Sequence, residues 1–461
     1  MAYKLFINYG NGLDIHLGGA GATRPVKGAR YSPGRGVRRV DGLGREVIEE
    51  EIIIELAGTF RQITDWIGTL NQVLEMLKGG DWHKQDAFVT LRVEEPDELS
   101  GYPWFSRIVD AWLGLDAGGI AQRGLGQQIV TLKVVRLDRW EDQDTDTQNL
   151  IRFPDGTGDQ MSQGYLLNHF DGDAGHTNWG VLVASGIEGD LPANAYVRMG
   201  GATMGDLYLG CGWIDAAYPA SAAVLPTLQD SAWIAGAGVT KTTVASGLAA
   251  GGNYAAFTWS GTGETEIARA GLPASLYGVA HGRPMKIMGR LQSGTAVADL
   301  WLKARVVIGG TNVMVCETEW NLYPAGSAIL DLPVVYTPPE GLRESIRLDL
   351  VIYGLRQMVG GVTVNLDYVQ LWPVDGGYRR LKCIQAQGGA GYVVDDAAND
   401  GLYWTDNAIN QRAVYVGYGP RIRLAPGRDN VLAFANVRSA GWVIEDHVNL
   451  YVVYNRAKRN L

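Results

Sequence analysis

At 461 residues, with 46% hydrophobic and 19% charged side chains, the chain is globular in composition and too long for one hydrophobic core, so roughly two to four domains are expected. A formal net charge of -9 argues against broad affinity for nucleic acid, which needs a positive field to release phosphate counterions. Cys211, Cys316 and Cys383 are widely spaced and odd in number, which gives neither a disulfide framework nor a zinc site and suits folding in a reducing cytoplasm.

The N-terminus, MAYKLFINYGNG, has no long apolar core or small-residue cleavage site, and no run of about 18 apolar residues follows anywhere. Neither standard export nor membrane insertion is expected. The 62 Gly, 14 Trp and 21 Tyr favour short strands joined by tight turns, because aromatic side chains fit a pleated sheet and Gly supplies turn geometry.

In chain order, the first feature is a basic, Gly-rich segment. Arg24, Lys27, Arg30, Arg35, Arg38, Arg39 and Arg45 stand among Gly28, Gly34, Gly36, Gly42 and Gly44, with Asp41 the one acid in the stretch. A strand is predicted from Ile48 to Leu56, where Ile48, Ile52, Ile54 and Leu56 share one parity. A helix follows from Thr59 to Lys78, because Phe60, Ile63, Ile67, Leu70, Leu74 and Leu77 recur at steps of three and four. Thr59 with Gln62 forms a capping-box pattern at its start, and Gly79-Gly80 stops it. Such an apolar stripe needs a sheet to lie on. Ala87 to Val93, Phe105 to Leu113 and Ile129 to Trp140 supply further strands, the last with Val130, Leu132 and Val134 alternating with Thr131 and Lys133.

The polar run Glu141-Asp142-Gln143-Asp144-Thr145-Asp146 reads as a linker. Beyond it come short strands without another helix: Tyr196 to Met199 and Asp206 to Ile214, then Met285 to Leu291, Leu300 to Ile308, Ile346 to Leu355 and Val362 to Trp372, and finally Val414 to Tyr418, Val431 to Phe434 and Val448 to Tyr454. In the middle group Leu300, Leu302, Val306 and Ile308 share a face, as do Ile346, Leu348, Leu350 and Ile352, which is a β-sandwich pattern. No fixed-period repeat is present.

Two stretches resemble a known family. The N-terminal strand–helix–strands order, with Pro103-Trp104-Phe105-Ser106-Arg107-Ile108 leading into one strand and Val134-Val135-Arg136-Leu137-Asp138-Arg139-Trp140 closing the unit, looks like the ring domain of bacteriophage distal tail proteins. Pro426-Gly427-Arg428-Asp429-Asn430-Val431-Leu432, with a last strand ending Tyr454-Asn455-Arg456, is similar to the final hairpin of that family's second domain. In the middle, Leu366-Asp367-Tyr368-Val369-Gln370-Leu371-Trp372-Pro373 looks like the last strand of a carbohydrate-binding-type jelly roll.

The expected fold class is therefore mostly β. A ring-forming β-sandwich or split-barrel domain with one helix (1–145) is followed by a discontinuous jelly roll (146–224 plus 379–461) interrupted by a carbohydrate-binding-module-like sandwich (225–378). The resemblance implies a homohexameric ring in the virion tail, assembled in the host cytoplasm. It would sit between the tail tube protein and the tail-tip or baseplate hub and fibre proteins.

For Arg30, Arg35, Arg38 and Arg39 three readings stand: an arm gripping an acidic neighbour in the ring, contact with DNA in the lumen, or a solvated hairpin. The first is preferred because guanidinium forks pair with carboxylates and arginine is enriched at interfaces. Asp171, Asp173 and Gly175 resemble the start of a calcium loop but lack the later acidic ligand, and Asp395, Asp396 and Asp400 read as hairpin turns, so no metal is assigned. Among the middle segment's aromatics, Trp259, Trp320 and Tyr277 are candidates for stacking on a host polysaccharide, with Trp259 first because Thr258-Trp259-Ser260-Gly261-Thr262-Gly263 suggests an exposed strand end.

No catalytic motif is present. G-x-S-x-G, H-E-x-x-H and the P-loop are all missing, Gly18-Gly19-Ala20-Gly21 does not complete a dinucleotide fingerprint, and the six His are dispersed. The expectation is a non-enzymatic tail protein without cofactor and without specific nucleic-acid binding. The alternatives are a carbohydrate-binding or polysaccharide-degrading protein, since 49 acids leave room for a glycosidase pair, and a tube or tip component elsewhere in the tail.

Overall fold

The computed structural model of the chain describes residues 4–9, 13–19, 21–42, 45–78, 89–94, 103–115, 126–142, 150–152, 181–184, 186–200, 206–214, 227–246, 249, 252–272, 283–292, 299–327, 329–336, 347–384, 391–397, 401–405, 411–437 and 449–459. The fold is mostly β, with several antiparallel sheets and one α-helix among the described residues. Two compact units divide it: 1–150 with 188–193 and 454–461, and 151–187 with 194–453.

The first unit contains β1 (Lys4–Tyr9), β2 (Leu13–Gly18), β3 (Val26–Arg30), β4 (Val37–Val40), β5 (Glu46–Ala57), α1 (Phe60–Lys78), β6 (Val89–Glu94), β7 (Trp104–Leu115), β8 (Gln127–Leu137) and β9 (Trp140–Asp142). Its hydrogen-bonded order is β2-β1-β6-β7-β8-β5-β3, with β4 beside the first half of β5 and β9 beside the start of β7. The sheet curls until its two ends approach. Gly18 at the end of β2 lies so near β3 that an added Cβ would stand 2.4 Å from the Cβ of Ala29. Ile48, Ile52, Ile54 and Leu56 are all buried, as the alternation of β5 requires.

Helix α1 starts on the expected capping box. Thr59 N–H donates to Gln62 Oε1 at 2.9 Å and Gln62 N–H donates to Thr59 Oγ1 at 3.3 Å. Ile63, Ile67, Leu70 and Leu74 are buried against the sheet, and Leu77 packs at the edge of that core. Phe60 departs from expectation at 53% exposed. At about 100° per residue it falls on one margin of the stripe, and Trp66 and Val73 on the other; it is their margin that meets the sheet.

The basic segment contributes two strands, since β3 and β4 within it both pair with β5. Of the expected acidic linker, residues 141 and 142 are strand, and 143–146 lie outside the described residues. Glu141 and Asp142 belong to β9, which pairs with Ala457–Lys458 near the chain's end, and Asp142 is fully buried because it accepts hydrogen bonds from the backbone and guanidinium of Arg456.

In the second unit the strands between Thr227 and Pro373 make a two-sheet sandwich. One sheet runs Thr240–Ala245, Asn253–Ser260, Gly361–Pro373, Pro284–Leu291, Ile329–Tyr336, and the other Trp233–Ala235, Thr265–Gly271, Leu348–Arg356, Leu300–Ile308, Met314–Glu317. Their shared core includes Phe257, Ile287, Leu302, Val306, Leu350, Ile352, Leu366 and Trp372. The flanking segments interleave in other sheets. Asp206–Ile214 pairs with Asp429–Val437 on one side and Gly377–Cys383 on the other, while Ala193–Gly200 pairs with Tyr392–Asp396.

Gly210 and Gly212 place the Asp206–Ile214 strand directly on the end of Gly361–Pro373. A Cβ on Gly210 would meet the Trp372 ring at 3.0 Å, and one on Gly212 would meet Pro373 at 2.3 Å. Gly212→Val should therefore lower stability by roughly 1–3 kcal/mol or more through overpacking, seen as a lower urea midpoint at unchanged slope. Gly361→Ala, whose added carbon meets nothing within 4 Å, should leave the midpoint nearly unchanged.

Candidate functional site

The candidate interface in the first unit is organised by a charge on the buried parity of β5. Glu50 lies between Ile48 and Ile52 on the core side and is 3% exposed, and Arg136 on β8 is 0% exposed. Arg136 Nε donates to Glu50 Oε2 at 2.6 Å and its Nη2 to Oε1 at 3.1 Å, a two-pronged pair. The guanidinium lies 4.3 Å from the centroid of the buried Trp140 ring and its Nη1 donates to the Leu137 carbonyl at 2.9 Å.

Two further groups close on the same carboxylate. Tyr31 O–H donates to Glu50 Oε2 and Gly34 N–H to Oε1, each at 2.6 Å. Burial pushes the Tyr31 phenol well above its ordinary range, against the pull of Arg136 and with the help of Glu50, so the hydroxyl keeps the proton it donates. Both donors come from the basic segment, and the close approach of Gly36, where a Cβ would sit 1.9 Å from the Glu49 carbonyl oxygen, adds a third fixed point.

This anchoring lays β4 along the outside of β5. Val37, Arg38, Arg39 and Val40 are all exposed, and β4 pairs with β5 alone among the described residues. Of the sequence-predicted arginines, Arg30 pairs with Glu55 at 2.8 Å, Arg38 with the buried Asp138 at 2.7 Å and Arg39 with Glu49 at 3.7 Å. Arg35 is exposed and forms no ion pair among the described residues. The arginines that the sequence offered as a reaching arm thus mostly lie on their own sheet.

The aromatic candidates separate. Trp259 is 4% exposed and belongs to the sandwich core, its ring seated over Gly354, where an added Cβ would lie 2.8 Å away. A covered ring offers no stacking face, so Trp259 is corrected from platform to core: it shares the inward parity of Phe257, which outweighs its polar neighbours. Tyr277 lies outside the described residues, as do Asp171, Asp173 and Asp400.

Trp320 is half-buried on the outer face of the sheet formed by Leu300–Ile308 and Leu348–Arg356. Lys303 Nζ stands 4.6 Å from its ring centroid and the Arg305 guanidinium 4.5 Å from that of Tyr353. Glu264 and Glu317 bind both cations at 2.9–3.3 Å. Although partial burial alone raises it, the Glu317 carboxyl is held below its ordinary range by Arg305 and Lys303.

The hairpin expected around Asp395 and Asp396 is present, with Tyr392–Asp396 paired to Gly401–Thr405, but both acids lie at the end of its first strand and are buried; Arg379 and Arg421 reach Asp395 at 3.1 and 3.0 Å. Sequence reasoning missed Glu50 and Arg136 as partners; the available signal was a lone acid on the apolar parity of a strand.

No protein-family model matches the sequence, and no curated protein does. Among solved structures, the CBM22 and GH10 modules of a Clostridium thermocellum endo-1,4-beta-D-xylanase with xylohexaose are similar at 11% identity and TM-score 0.21, over 32% of this chain and 28% of that one. A CBM22 tandem from a Paenibacillus barcinonensis protein gives 10% identity and TM-score 0.23 over 51% of this chain and 96% of that one. A structure of infectious bursal disease virus, Gx strain, gives 11% identity and TM-score 0.18 over 57% of this chain and 67% of that one. Scores of this size do not establish a shared fold.

Removing Glu50 alone strands a buried guanidinium. Glu50→Ala should cost about 3–5 kcal/mol in denaturant unfolding, whereas Glu50→Leu combined with Arg136→Met should cost clearly less. Equal losses in both would show that the pair does not act as a unit.

Proposed function

We propose that the protein is a structural, non-catalytic component of a bacteriophage tail that forms a ring through its first unit, with the outer face of the 227–373 sandwich available to a host surface glycan. The tail assignment rests on the resemblance of residues 103–108, 134–140 and 426–432 to distal tail proteins. The observation that carries the assembly part is β4, an edge strand presenting Val37 at 69% and Val40 at 65% exposure beside Arg38 and Arg39.

An exposed apolar edge is a hazard for a monomer and a natural seam for sister copies. The edge is held in place by Glu50, so little ordering entropy remains to be lost on docking. On this reading the ring is six-fold and joins the tail tube to tip or baseplate proteins.

A second reading, a carbohydrate-binding protein, is favoured by Trp320 beside Lys303 and Tyr353, since a partly open indole edged by charged groups can face a pyranose while the ions bind its hydroxyls. Glu264 and Glu317 are both engaged by cations, which suits hydroxyl recognition better than proton donation to a leaving group.

Purified protein is expected to form closed rings by negative-stain microscopy and light scattering. Val37→Lys with Val40→Lys, at sites that cost the monomer little, should shift it to monomers at unchanged melting temperature. Persistent rings in that variant would remove β4 from the interface. A glycan array separates the second reading: Trp320→Ala should erase any neutral-glycan signal without touching ring formation.

A further inference from the structure

A cavity of about 350 Å³ opens in the second unit between the 227–373 sandwich and the sheet containing Gly377–Cys383 and Tyr415–Tyr418. That volume falls within the ~300–1,000 Å³ usual for small-molecule sites. Its walls carry three cations, Lys286, Arg380 and Lys382, against one carboxylate, Asp331, in a chain whose formal net charge is -9. Tyr378, Tyr418 and Gly419 complete the lining.

The floor is built from paired charges. Lys286, whose side chain is 6% exposed, places Nζ 2.5 Å from Asp331 Oδ1 and 4.6 Å from the Tyr378 ring centroid. Arg380 donates to Asp331 Oδ2 at 3.3 Å and stands 3.6 Å from Asp206. Burial draws the Lys286 ammonium below its ordinary range while Asp331 works the other way. The parity of the strand explains the convergence: Tyr378, Arg380 and Lys382 alternate with the buried Arg379 and Leu381, so all three face the cavity side.

The mouth differs from the floor. Lys382 is exposed and forms no ion pair among the described residues, and Tyr418, 52% exposed, offers an open phenol ring. A bare polyanion such as phosphate would meet the Asp331 carboxylate along with the cations. A ring bearing one carboxylate and several hydroxyls suits this mixed lining: the carboxylate on Lys382 and Arg380, a hydroxyl donated to Asp331, and a C–H face on Tyr418, with Lys286 and Tyr378 holding Asp331 from behind.

We propose that this cavity binds an acidic sugar unit, a carboxylate-bearing pyranose at an end or branch of an anionic polysaccharide. The site uses neither Trp320 nor the ring seam, so it stands or falls apart from the function proposed above.

The test is calorimetric titration of the full chain with glucuronate oligomers, neutral glucose oligomers and acetate. The charged oligomer is expected to bind at least tenfold more tightly than either control and more weakly as salt rises. Lys382→Glu and Tyr418→Ala, both at exposed positions, should each weaken it tenfold or more, while Trp320→Ala leaves it unchanged. Circular dichroism checks that each variant is folded, and Tyr418→Ala carries the test if Lys382→Glu is not. Absence of binding to the charged oligomer, equal binding of the neutral one, or loss in Trp320→Ala with retention in the two cavity variants would overturn the proposal.

Discussion

The first unit depends on one buried ion pair. Desolvating Glu50 and Arg136 is expensive, several kcal/mol for each ion, and is offset only where geometry is good and the remaining polar positions are filled. Here they are filled: two prongs from Arg136, the Tyr31 hydroxyl, the Gly34 amide, and the Trp140 ring under the guanidinium. The same bonds fix an otherwise Gly-rich segment, whose β4 becomes the outermost strand of the curled sheet. An electrostatic feature of the core therefore positions the surface on which assembly is proposed.

The second unit follows a different constraint, close backbone approach. Gly210 and Gly212 let one sheet rest on Trp372 and Pro373 at the end of the 227–373 sandwich, so two β layers share a core that also holds Tyr208, Ile214, Val431 and Ala433. Where that contact gives way to charged side chains, at Lys286, Asp331 and Arg380, the layers part into the cavity. Packing and site thus arise at one junction: small residues close it on one side and ion-paired residues hold it open on the other.

What was legible in the sequence followed periodicity. The alternation of β5, the stripe of α1, its capping box and the strands Asp206–Ile214 and Leu300–Ile308 were readable because each signal is local. Thr240–Ala245 escaped because it has no buried face to alternate with a polar one. Asp395 and Asp396 looked like part of a turn because acids are rare in strands, and the burial of Asp395 becomes tolerable through Arg379 and Arg421, brought in by the fold. Trp259 misled through its polar neighbours. The cavity left no trace at all, since Lys286, Asp331 and Arg380 come from three distant strands whose meeting is a tertiary fact.

On the proposed reading the edge of the ion-pair-anchored β4 is completed by another copy. Amide hydrogen exchange at 37–40, compared between dilute and concentrated protein, reads that edge strand by itself. Protection of the outward-facing amides should rise with concentration while those bonded to β5 stay protected throughout. Fast exchange of the outward amides at every concentration, or protection already complete in the isolated chain, would contradict it.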